Sequence, residues 1–185
     1  MNAIDALRTA GVVGDGAQGS SYEELVNDAV RLGELRGAPV PMELPEDVTY
    51  AWLLEPLLKA ADLSARWRIT RHGFGSTPDT LYSEADGVVE LVSIDGSRLQ
   101  ERADPQWGGR WYDHRVVERV LTALSSELDG GRAFYAIGRA LSPEHPDFPS
   151  EYYVWTVLDS EGVRLLEKAG IDVRRVGGRD DGRAP

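Results

Sequence analysis

The chain has 185 residues, a net charge of −11 and no cysteine, which excludes disulfides, thiolate metal sites and cysteine nucleophiles. Eleven of the first 64 residues are acidic and four are basic, so this stretch alone carries −7. A surface of that sign repels phosphate backbones and anionic membranes and attracts basic proteins, which sets the expected partner: another protein, basic, with no nucleic acid and no membrane.

The length fits one domain, or one domain with a helical appendage, able to bury about 70% of its unfolded surface without a staple. The N-terminus lacks the basic leader and continuous apolar core of a signal peptide. No apolar run approaches the ~20 residues that span a bilayer. The expectation is a soluble, cytoplasmic protein. Arginine outnumbers lysine eighteen to two, which reads either as phosphate or carboxylate recognition by guanidinium forks or, the favoured reading, as GC-rich coding bias, which also favours the abundant Ala, Gly, Val, Asp and Pro.

In chain order, Asn2–Ala10 reads as a short helix ended by Gly11 and a glycine-rich stretch. Those glycines resemble a phosphate loop in composition only, since no preceding strand, lysine or GxxxxGK[ST] accompanies them. Ser21 and Glu24 form a capping box for a second helix, in which Leu25, Val26, Ala29, Val30 and Leu32 recur at helical spacing and Gly37 is the expected stop. Glu23, Glu24, Asp28 and Glu34 fall on its other faces. Residues 38–47 contain three prolines and read as an extended connector. Residues 48–63 are strongly apolar, and Pro56 divides them into a turn or short helix followed by a helix with Pro56 in its first turn.

From residue 65 the period changes to two. Trp67 and Ile69 alternate with Arg66, Arg68 and Thr70 as a half-buried strand. Residues 80–83 and 88–94 flank a Glu84–Gly87 turn and read as a hairpin, with 88–94 apolar on both faces except at Glu90. Asp113 is the expected cap of a helix whose stripe is Val116, Val117, Val120, Leu121, Leu124 and Leu128, ended by Gly130-Gly131. Strands at 133–139 and 152–158, a helix from Ser160 to Ala169, a strand at 171–176 and a disordered tail complete the chain. Paired strands interrupted by single helices predict an α+β fold: a largely antiparallel sheet of about five or six strands with helices packed on one face, preceded by an N-terminal helical segment. The expected organisation is an acidic helical segment at 1–37, a proline-rich connector at 38–47, an α+β core at 48–176 and the tail at 177–185.

Three local constellations bear on chemistry. The loop preceding the 114 helix holds Trp107, Arg110, Trp111 and Tyr112, the residue types that dominate interface hot spots, although the tryptophans serve equally as a satellite core. The proline-stiffened stretch 142–149 presents Glu144, His145 and Asp147 as a rigid crossover, a contact loop or a catalytic loop. His114 with Glu118 one turn on reads first as a solvated pair at a helix start and, as the alternative, as a carboxylate-oriented imidazole. His72, among the glycines at 73 and 75, reads as a turn residue. These patterns support two functional readings. The leading one is an acidic protein-binding domain, of the immunity-protein or chaperone kind, using the carboxylates above with Trp107, Arg110, Trp111, Tyr112, Glu144 and Asp147; no cofactor and no metal are expected. The alternative is a small hydrolase using His114 or His145 with Glu118, Glu144 or Asp147, which requires two of them to converge in one cleft.

Overall fold

The computed structural model describes residues 1–41, 50–72, 88–102, 114–138 and 152–177. Within them lie α1 (Ala3–Thr9), α2 (Tyr22–Leu32), β1 (Ala38–Pro41), α3 (Tyr50–Ala60), β2 (Trp67–His72), β3 (Val88–Ser93), β4 (Arg98–Arg102), α4 (His114–Leu124), β5 (Ala133–Gly138), β6 (Tyr152–Leu158), α5 (Ser160–Lys168) and β7 (Asp172–Arg175). The fold is α+β with antiparallel pairing throughout these strands, as expected. The strands divide into a four-stranded sheet, order β1-β6-β5-β7, and a three-stranded sheet, order β2-β3-β4.

The four-stranded sheet is buried on both faces because β5 and β6 are apolar at successive positions. Phe134, Ala136 and Trp155 face a core shared with α3, α4 and the three-stranded sheet. Ile137, Val154 and Leu158 face a second core, shared with α1, α2 and Leu166 of α5. Helices therefore cover both faces of this sheet, and residues 1–37 belong to the second of its cores. The reason lies in the strand pattern: a half-exposed strand alternates, whereas a strand apolar on both faces requires cover on both.

Several local expectations are corrected. Helix α2 stops at Gly33, not at Gly37; Gly33 adopts a left-handed conformation (φ 70), and the amides of Glu34 and Leu35 both turn back to the Ala29 carbonyl. The first part of the 38–47 connector is a strand, pairing with β6 from Ala38↔Trp155 to Pro41↔Tyr152. Prolines at alternate positions suit an edge: Ala38 and Val40 can donate towards β6 while the N–H-free nitrogens of Pro39 and Pro41 turn outward. The remainder of that connector lies outside the described residues.

Pro56 sits inside one continuous α3 rather than opening a second helix. Its missing N–H leaves the carbonyl of Trp52 without its helical partner, on a residue that is 40% exposed and so within reach of water. Burial of Tyr50, Leu53, Leu54, Leu57 and Leu58 outweighs that loss, each large side chain contributing roughly 1.5–3 kcal/mol. Strand β4 was not expected, because in Arg98-Leu-Gln-Glu-Arg102 only Leu99 is apolar and turned inward. The β3–β4 turn is held by Asp95, whose carboxylate accepts from the Ser93 hydroxyl and from the Ser97 amide (2.9 Å), and these bonds lower its pKa to about 2. The expected hairpin partner at 80–83 and its 84–87 turn, the Asp113 cap and the tail from 178 lie outside the described residues. Helix α4 buries Val116, Val117, Val120, Leu121 and Leu124, and tightens into a 3-10 turn at Ser125–Glu127 before the Gly130-Gly131 pair is reached.

Candidate protein-binding face

The acidic residues of the N-terminal layer are organised around the glycine-rich loop, residues 14–20. The Ser21 hydroxyl accepts from the Glu24 amide (3.2 Å), as a capping residue does. The Glu24 carboxylate in turn accepts from the Ser20 amide (2.8 Å) and the Ser20 hydroxyl (2.6 Å). One turn along, Asp28 accepts from the Gln18 amide (2.9 Å) and from the Arg31 guanidinium. Glu34, beyond the helix end, accepts from the Ala17 amide (2.9 Å). Three carboxylates thus hold successive parts of one loop by its backbone amides.

This explains Gly14 and Gly16. A Cβ on Gly14 would lie 2.7 Å from a carboxylate oxygen of Glu34, and one on Gly16 would meet the same carboxylate. Gly14 and Gly16 are thus required by a carboxylate packed against them, whereas Gly19 lies against the start of α2, where a Cβ would meet the Leu25 backbone.

The hydrogen bonds also fix charge. Those from Ser20, side chain first and backbone next, lower the pKa of Glu24; the Gln18 amide, then Arg31, lower that of Asp28. Both are anionic at neutral pH. Together with Gln18, Gly19, Asn27 and Arg31 they line an open depression of about 510 Å³, and Glu23 stands exposed beside it in the first turn of α2. Below, Tyr22 is turned inward, its hydroxyl reaching the Ile137 carbonyl (3.4 Å), and burial raises its pKa.

Of the expected site residues, Glu24, Asp28 and Glu34 all bind the 14–20 loop, Glu34 from the returning chain and not from the helix, while Glu23 is exposed on α2 and makes no contact with the loop among the described bonds. Glu118 is on α4 and pairs with Arg174 of β7 (3.3 Å). His114 opens α4; its side chain, like that of His72, lies outside the described residues, as do Trp107, Arg110, Trp111, Tyr112, Glu144, His145 and Asp147. The described residues contain no group of three or more His, Asp or Glu able to hold a metal, and no helix long and apolar enough to cross a membrane.

One charged surface was missed. Among the described residues, the face of the three-stranded sheet turned away from the core carries Arg68, Arg71, Arg98 and Arg102 about a single acid, Glu90. Alternation of arginine with Trp67 and Ile69 was visible in β2, but without β4 the second column could not be placed opposite it. No protein-family model matches the chain, and neither a curated protein nor a solved structure matches it.

Proposed function

We propose that this is a protein-binding domain that docks a basic partner protein on the α2 face, in the manner of an immunity-type inhibitor or a chaperone. The observation that carries this reading is the fixed, ionised pair Glu24 and Asp28, tied to loop amides and flanked by the exposed Glu23. Carboxylates already immobilised lose little side-chain entropy on binding, and their field can raise association rates by 10- to 1000-fold at low salt. The net charge of −11 favours cationic proteins over nucleic acid or anionic membrane as the partner. A cysteine-free chain suits the reducing cytoplasm in which such pairs would meet.

The test uses two exposed positions on α2 that leave the loop clasp intact, Glu23→Gln with Asn27→Lys. Immobilised wild-type protein is expected to retain basic proteins from an extract of its source at low salt and to release them as salt rises. The double variant should retain them at least about tenfold less, with unchanged circular dichroism. Retention unaffected by the substitutions, or a retained set without excess positive charge, would sink the reading.

A further inference from the structure

We propose that the outward face of β2-β3-β4 is a second docking surface, one that takes a carboxylate-rich helical segment of another protein. It is a different surface from that of α2 and does not depend on the reading above. Antiparallel register arranges the face in rows: Arg68, Val92 and Arg98 in one, Arg71, Glu90 and Gln100 in the next, then the exposed Arg102 beside Val88, which is buried and bounds the accessible part of the face. Arginines on the two outer strands form columns on either side of β3. The bulge between Ile69 and Arg71 is what returns Arg71 to this face beside Arg68.

Among the described residues the face holds four arginines to one glutamate, in a chain whose net charge is −11. Glu90 engages Arg98 (3.4 Å), while Arg68 and Arg102 make no ion pair among the described residues. A solvated sheet surface ordinarily mixes its signs, because like charges across strands repel. Here, among the described residues, the positive charge is concentrated on the outer strands, and the middle strand carries Val92, partly accessible, as an apolar contact.

Dimensions and chemistry select the occupant. Three strands span about 10 Å, the diameter of a helix with its side chains, and five strand residues run about 17 Å, the length of three helical turns. A helix lying along β3 would set an apolar stripe on Val92 and carboxylates against both arginine columns, where guanidinium forks bind them in pairs. Single-stranded nucleic acid fits less well. The described part of the face offers no aromatic side chain for stacking, Glu90 lies at its centre, and the rest of the molecule repels an extended polyanion.

The experiment measures fluorescence anisotropy of two probes at low salt: a labelled acidic amphipathic helical peptide, and a single-stranded oligothymidylate of equal charge. The full chain is compared with Arg68→Glu/Arg102→Glu, and with Arg164→Glu on α5 as a charge control. The peptide is expected to bind the wild type and the control alike and the double variant at least about tenfold more weakly, with the oligonucleotide binding weaker throughout. Circular dichroism of the double variant is expected to match that of the wild type; if it unfolds, Arg68→Gln/Arg102→Gln replaces it with the same expectation. Peptide binding indifferent to these substitutions, no peptide binding, tighter binding of the oligonucleotide, or sedimentation showing the face occupied by a second copy of the chain would each overturn the proposal.

Discussion

At the scale of single residues, two glycines of the N-terminal layer trace to one contact, the Glu34 carboxylate lying against Gly14 and Gly16 while it accepts from the Ala17 amide. A methyl group on Gly14 would fall 2.7 Å from that carboxylate, closer than van der Waals contact permits. Gly14→Ala is therefore expected to destabilise the protein by roughly 1–3 kcal/mol, the usual cost of overpacking. Urea unfolding would measure it. Because the clash is with Glu34 in particular, Gly14→Ala and Glu34→Ala together should cost less than the sum of the two alone. An additive cycle would show that the contact does not govern the glycine. Counting acids in a sequence overstates the free surface charge for a related reason: Asp28 is paired with Arg31 (2.5 Å), whereas Glu24 and Glu34 keep their charge but spend lone pairs on the loop, and Glu23 in the first turn of α2 stands outside the clasp.

At the scale of elements, α3 shows apolar burial overriding a local breaker. Residue Pro56 lies well inside the helix, where proline costs about 3 kcal/mol relative to alanine in an isolated helix. Part of that cost is recovered, because proline also restricts the unfolded chain. Pro56→Ala should accordingly stabilise the protein, by about 1 kcal/mol, seen as a higher urea midpoint with an unchanged slope. A loss of stability would mean that the geometry imposed by proline is needed for α3 to seat Leu53 and Leu57. The opposite case is α2, where a single left-handed glycine ends the helix although the hydrophobic spacing runs on towards Leu35. Helix stops depend on backbone conformation, and Gly33 and Gly37 carry the same side chain, which is why the sequence alone favoured the wrong one.

At the scale of the whole molecule, residues 1–37 supply half of a core. Leu7, Val12, Leu25, Val26 and Ala29 are buried with Ile137, Val154, Leu158, Leu166 and Ile171. A chain lacking residues 1–37 would expose that face of the central sheet, an apolar area large enough to drive association. It is expected to bind a hydrophobic dye, to lose its near-ultraviolet dichroism and to aggregate. A truncated chain that stays monomeric with native spectra would show that the layer is an appendage. Charge is distributed on the same scale: carboxylates line the α2 face, and arginines the far face of the three-stranded sheet.

What the sequence determined by itself was whatever rests on local periodicity. The stripe of α4, the Ser21 cap, the inner position of β3 and the α+β class all follow from side chains within a few residues of one another, where spacing and burial are the same fact. Only the tertiary structure decided the rest. The division into two sheets, the pairing of Pro39 and Pro41 with β6, the strand at Arg98–Arg102 and the alignment of two arginine columns require partners far apart in the chain. Glu34 meeting Gly14 and Gly16 is likewise a contact across a loop that no periodicity encodes. Such pairings are set by which apolar faces find one another on folding, and a polar residue near them acquires its role from where that leaves it.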